Sequence, residues 1–74
     1  MDERIISVIA KVLNISINEV EMDTAIGDLP EWDSLHHMLI IAELEKIFDI
    51  KFSQDDLKEL EDVSDLVSLV KELM

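Results

Sequence analysis

The chain has 74 residues, 49% of them apolar, no cysteine, and a formal net charge of −12 from eighteen acids against six bases. So short a chain supports one domain, 1–74, whose core must come from helix packing, because no disulfide staple or thiolate metal site is available. The acidity argues against nucleic acid and anionic lipid as partners and favours basic protein surfaces.

The start, Met1-Asp2-Glu3-Arg4, lacks the basic character of a signal peptide. The longest uninterrupted apolar run, Met38 to Ala42, is far short of a membrane span. The expectation is therefore a cytoplasmic monomer with no membrane insertion.

Asp2 is placed to cap a first helix, with Glu3 in its first turn suiting the helix dipole. Ile5, Val8, Ile9, Val12 and Leu13 follow i, i+3, i+4, i+7, i+8 spacing and make one apolar face. Asn14 is a plausible stop. From Asn14 to Trp32 no periodicity is sustained, apart from a single turn around Asn18-Glu19-Val20. A loop of roughly twenty residues is unusual in a compact domain unless functional or disordered. Disorder is disfavoured here by the apolar anchors Ile15, Ile17, Val20, Met22, Ile26, Leu29 and Trp32. Gly27, the only glycine, suits a positive-φ turn before Asp28.

Pro30 blocks any helix arriving from upstream, so a loop ends at Trp32 and a second helix begins at Asp33 or Ser34. Asp33 is a good N-cap, and Ser34 then takes the first helical position with its short side chain open to solvent. An oxygen there faces free N–H groups and the positive end of the dipole, which together favour a phosphate. The helix should run from about Ser34 to Phe48. Ile40, Ile41, Leu44, Ile47 and Phe48 form its core face, while Leu35, Met38, Leu39 and Ala42 fall roughly opposite. A helix apolar on both sides is either fully buried or keeps one surface for another molecule. Asp49-Ile50-Lys51-Phe52 connects onward, with Ile50 and Phe52 pointing inward. Ser53 with Asp56 resembles a capping box opening a short third helix through Leu57 and Leu60. Asp62 with Asp65 repeats that pattern before a last apolar stripe of Val63, Leu66, Val67, Val70, Leu73 and Met74. The fold class expected is all-α: a small four-helix bundle, three helices longer and one short, with a long loop between the first and second.

No catalytic constellation accompanies Ser34. His37 lies three residues on, but there is no G-x-S-x-G elbow and no sign of an oxyanion hole or cleft. His36 and His37 are adjacent, point about 100° apart on a helix, and have no partner pair for a metal; no D-x-D-x-D-G calcium loop is present either. Between Lys11 and Lys46 no Lys or Arg occurs, and Ser34 sits inside this purely acidic interval. What remains is an exposed serine at a helix start, acidic surroundings for a basic enzyme, and an apolar helix face beside it: a serine that something else modifies.

These residues resemble a known family. Asp33-Ser34-Leu35 at the head of the second of four helices looks like the D-S-L motif of acyl carrier proteins and peptidyl carrier domains. The similarity extends over essentially the whole chain. Leu13-Asn14-Ile15 ends the first helix as in that family, and Asp28-Leu29 precedes the motif at a familiar distance. Leu44-Glu45-Lys46-Ile47-Phe48-Asp49-Ile50 is similar to the L-E-x-x-F segment closing the second helix, and Asp62-Val63-Ser64-Asp65-Leu66-Val67 to the T-V-x-D-L start of the last.

The resemblance implies an acyl-carrier-like bundle that is not an enzyme. Ser34 would carry 4′-phosphopantetheine, installed from coenzyme A by a phosphopantetheinyl transferase using Mg²⁺, and would hold acyl or aminoacyl thioesters for loading and condensing enzymes with basic surfaces. It assigns Asp33 to the motif and to transferase recognition, and it places Leu35, Met38 and Ala42 on the recognition helix with Glu43 and Glu45 on its flank. Two departures stand out: Pro30-Glu31-Trp32 replaces the glycine common before the serine in fatty-acid carriers, and His36-His37 replaces acidic or polar residues. A tryptophan before D-S-L is more like carriers of specialised pathways, including D-alanyl, polyketide and nonribosomal carriers. Trp32 itself is expected to pack against the bundle. The alternative is an unmodified acidic helical adaptor gripping basic proteins through Leu35, Met38 and Leu39.

Overall fold

A computed structural model describes residues 2–74. Four helices follow in order: α1 (Asp2–Leu13), α2 (Ser34–Phe48), α3 (Gln54–Lys58) and α4 (Val63–Leu73). A 3₁₀ turn, Ile17–Glu19, interrupts the long α1–α2 loop. The described residues contain no strand, only one isolated bridge between Ala25 and Asp62.

Local chemistry sets the helix ends. Asn14 (φ 57°) and Asp49 (φ 54°) adopt the left-handed conformation just after α1 and α2. The following amides, of Ile15 and Ile50, reach back to the carbonyls of Ala10 and Glu45 at 3.0 and 3.1 Å. This closes both helices with the same i to i−5 bond and tucks an isoleucine against the core each time. At the other ends, Ser16 and Ser53 each form reciprocal capping boxes, with Glu19 and Asp56. Asp62 caps α4 by accepting the Asp65 N–H at 2.9 Å, but Asp65 returns its carboxylate to the Glu61 N–H at 3.1 Å and not to Asp62. The expected box is thus formed on one side only. Asp2 is the first residue of α1 rather than its cap; its carboxylate instead meets the Lys71 ammonium at 3.0 Å.

One core gathers Ile5, Ile9 and Leu13 of α1, Ile40, Ile41 and Leu44 of α2, Phe52, and Val63, Leu66, Val67 and Val70 of α4, with Val20 and Trp32 brought in from the loop. α1 lies against both α2 and α4. Three apolar expectations fail at the periphery. Ile17 and Met22 are exposed loop residues rather than anchors, and Met74 lies beyond the last turn of α4, in solvent.

The long loop is held by backbone as well as by side chains. The Ile26 N–H donates to the Glu61 carbonyl at 2.9 Å, Val63 N–H to Thr24 at 3.0 Å and Ser64 N–H to Met22 at 2.9 Å. These bonds sew the loop to the α3–α4 connector and satisfy polar groups that would otherwise need water. Gly27 sits at φ 95°, the positive-φ turn expected of it, and Asp28 Oδ2 accepts the Ala25 N–H across that turn.

Candidate functional site

The loop delivers the chain to α2 through a tight turn, with the Trp32 N–H bonded to the Leu29 carbonyl at 3.0 Å. Trp32 is 2% exposed and is the largest of the fully buried side chains. It packs into the bundle, as the sequence suggested. Asp33 is the N-cap (φ −96°, ψ −175°), and Ser34 is the first helical residue. Asp33 Oδ1 accepts the His36 backbone N–H at 2.9 Å and meets His36 Nδ1 at 2.8 Å. An ionised carboxylate only accepts, so His36 Nδ1 carries the proton. The backbone N–H of His36, and then its side chain, hold the Asp33 carboxyl below its ordinary value of 3.8.

The second histidine is engaged in a different way. The Trp32 indole Nε1–H donates to His37 Nδ1 at 3.2 Å, with ring centroids 6.1 Å apart and planes tilted by 35°. Indole only donates, so Nδ1 is the unprotonated nitrogen and the proton sits on Nε2. Half-burial pushes the His37 pKa below 6.5. Each histidine is bonded to one of the two residues preceding Ser34, and the half-burial of His37 agrees with its angular position toward the core side of the helix. The Asp33–His36 pair at i, i+3 was open to inference as a cap; the indole–imidazole bond was not, because it depends on how the loop turns.

Ser34 is exposed. Its N–H and that of Leu35 have no acceptor among the described residues, leaving two first-turn donors directed outward beside the hydroxyl. The other serines differ. The hydroxyls of Ser16 and Ser53 accept amides at caps, that of Ser64 donates to Asp62, and Ser7 and Ser68 lie within helices, past their first turns.

C-terminal to Ser34, one face of α2 stays in solvent. Leu35 is 66% exposed, Met38 54% and Leu39 48%, with Ala42 between them on the same stripe. Glu43 and Glu45 flank that stripe, about 80° to either side of Leu35 on a helical projection. Their situations differ. Glu45 Oε2 accepts the Phe52 N–H at 2.9 Å, so this carboxylate closes the turn after α2. Glu43 lines a groove toward α1 together with Arg4 and Lys11. Among the described residues no group of three or more His, Asp or Glu side chains could hold a metal ion, and no helix is long and apolar enough to cross a membrane.

Residues 3–70 match the model of a family described as the phosphopantetheine attachment site. The chain belongs to that family of carrier proteins. Over 72 residues it is 38% identical to an acyl carrier protein of Brachyspira hyodysenteriae, covering 95% of this chain and 91% of that protein. Over all 74 residues it is 35% identical to a segment of the non-reducing polyketide synthase dbaI of Emericella nidulans, of whose length it spans 3%. Its fold superposes on the solution NMR structure of holo acyl carrier protein from Geobacter metallireducens with a TM-score of 0.88 at 30% identity, covering 97% of this chain and 83% of that one. The all-helical, acyl-carrier-like bundle expected from the sequence is therefore observed. Proteins of this family are carriers and not enzymes, and the covalent group they bear is 4′-phosphopantetheine.

Proposed function

We propose that Ser34 is the attachment point for 4′-phosphopantetheine and that this carrier serves a specialised pathway (polyketide, nonribosomal peptide, D-alanyl or related) rather than housekeeping fatty-acid synthesis. The observation that carries the assignment is the exposed Ser34 hydroxyl at a helix start, beside two unpaired amides. Those amides and the helix dipole suit the phosphodiester that attachment creates. A transferase using Mg²⁺ would direct the Ser34 oxygen at the β-phosphorus of coenzyme A; the new P–O bond forms as the pyrophosphate bridge breaks, adenosine 3′,5′-bisphosphate leaves, and the hydroxyl proton passes to the transferase. The group supplies a thiol on a long arm, on which acyl or aminoacyl groups ride as thioesters. The chain's own contribution is the fixed point of attachment and the surface around it.

That surface is the exposed stripe of α2. Leu35, Met38 and Ala42 would meet the transferase and the loading and condensing enzymes, with Asp33, Glu43 and Glu45 supplying negative charge to basic partners. Leu35 and Met38 supply most of the exposed apolar area. Glu45, already bonded to Phe52, would contribute through its field more than by direct contact. Trp32 before the serine, together with the likeness to a polyketide synthase segment, supports the specialised pathway.

Incubation with coenzyme A, Mg²⁺ and a broad-specificity transferase, followed by intact mass, should show one added phosphopantetheine on the wild type and none on Ser34→Ala. An unchanged wild-type mass, or addition that survives the substitution, overturns the assignment. Loading of the modified protein by adenylating enzymes and acyltransferases of candidate pathways would then separate the specialised from the housekeeping role.

A further inference from the structure

We propose that His37 is a positioning residue for the Ser34 site: its unprotonated Nδ1 holds the Trp32 indole in the bundle and so fixes the backbone that enters α2 at Asp33 and Ser34, and protonation of His37 releases it. The proposal rests on the reading of Ser34 as the attachment point.

The geometry is specific. The bond joins residue 32 in the loop to residue 37 on the second turn of α2, so Asp33 and Ser34 lie on the short arc of chain that it closes. Trp32 is buried, and the buried side-chain nitrogens and oxygens of the described residues all have partners. For the indole N–H that partner is His37 Nδ1. The bond has a fixed polarity, because indole cannot accept. A proton added at Nδ1 would set two N–H donors against each other at a separation of 3.2 Å and leave the indole N–H buried without an acceptor. Release of Trp32 would free the loop side of the helix start while Asp33 and His36 keep their own bond.

Burial of His37 works in the same direction. It favours the neutral ring, as the indole N–H on Nδ1 does, while the ionisable neighbours in sequence, Asp33 and His36, are bonded to each other. The native pKa lies below 6.5, so the bond is fully in place above that value and is lost as pH falls through the native value.

Trp32 is the only tryptophan, so its emission reports on the bond directly. Three proteins suffice: wild type, His37→Asn, whose Oδ1 falls near the position of Nδ1 and does not titrate, and His37→Phe, which has no acceptor. Emission is followed from about pH 8 to about pH 5, and the kcat and KM of phosphopantetheinyl transfer are measured at each pH. The wild type should red-shift as pH falls, His37→Asn should stay at the buried value throughout, and His37→Phe should begin at or near the released value. The wild-type to His37→Asn ratio of kcat/KM, in which the transferase's own pH profile cancels, should fall about tenfold across the range through KM, in line with loss of one buried hydrogen bond. A flat wild-type emission, the same transition in His37→Asn, or a constant kcat/KM ratio overturns the proposal. Should His37→Phe fail to fold, the wild type and His37→Asn still decide it. If emission behaves as stated but no protein accepts the group at any pH, what fails is the attachment at Ser34.

Discussion

Replacing Trp32 with alanine tests whether the loop is part of the core. Trp32 is 2% exposed and the bulkiest fully buried side chain. Truncating a buried Trp or Phe to Ala costs about 3–5 kcal/mol through lost transfer energy and the cavity left behind. A 74-residue domain has a total stability of roughly 4–11 kcal/mol, so the variant should sit at or near the edge of unfolding. At about 4–8 °C per kcal/mol for a domain of this size, the melting temperature should drop by roughly 12–40 °C. Helical circular dichroism during urea titration is the assay, because the substitution removes the fluorophore. Trp32→Phe is the control: it keeps most of the apolar volume and takes away the N–H together with its need for an acceptor, so its cost should be about 1–2 kcal/mol. A loss below about 1 kcal/mol for Trp32→Ala would refute the reasoning, since no buried ring of that size can be removed so cheaply.

The net charge of −12 predicts self-repulsion at low ionic strength, so added salt or Mg²⁺ should raise the melting temperature, and a flat response in scanning calorimetry would contradict this. Gly27→Ala meets no atom within 4 Å, so its cost is backbone strain at φ 95° alone, roughly 1 kcal/mol by urea titration. Leu35→Glu and Met38→Glu should shift stability by no more than about 0.5 kcal/mol, because both side chains are exposed, yet each should raise the KM of the transferase severalfold. With charge repulsion screened by high salt, the urea midpoint should be lower near pH 5.5 than near pH 7.5. His37 is held below 6.5 by burial, so the unfolded chain takes up its proton first as pH falls. Asp33 and Asp62, held below 3.8 by the backbone N–H groups of His36 and Asp65, add their own loss only at still lower pH. A midpoint unchanged between the two higher values would sink the assignment for His37.

The helix boundaries were legible because they are written in local chemistry. Pro30, Asp33 and Ser34 mark the start of α2; Ser53 with Asp56 marks α3; Asn14 ends α1 by taking a conformation that asparagine tolerates. The periodicity of Ile40, Ile41 and Leu44 marked the core face of α2, but it left open whether the opposite apolar face was also buried; the structure leaves Leu35, Met38 and Leu39 in solvent. The route of the loop was not legible. Its pairing with the α3–α4 connector uses backbone groups at Met22, Thr24, Ile26, Glu61, Val63 and Ser64, and such bonds leave no side-chain pattern to read. Nor was it legible that Ile17 and Met22 end in solvent although they are apolar. At the site, Ser34 and Asp33 stood out by position, whereas the partners of Glu45 and His37 depend on turns of the chain several residues away.

The seam between the loop and the α3–α4 connector bears on how far the serine can travel. The stretch from Met22 to Ile26 is fastened to the base of α4, and Trp32 is fastened inside the bundle. The twenty-odd residues before α2 therefore act as a brace and not as a tether. Whatever is joined to Ser34 swings from a stiff post, and its whole range of motion must come from its own rotatable bonds.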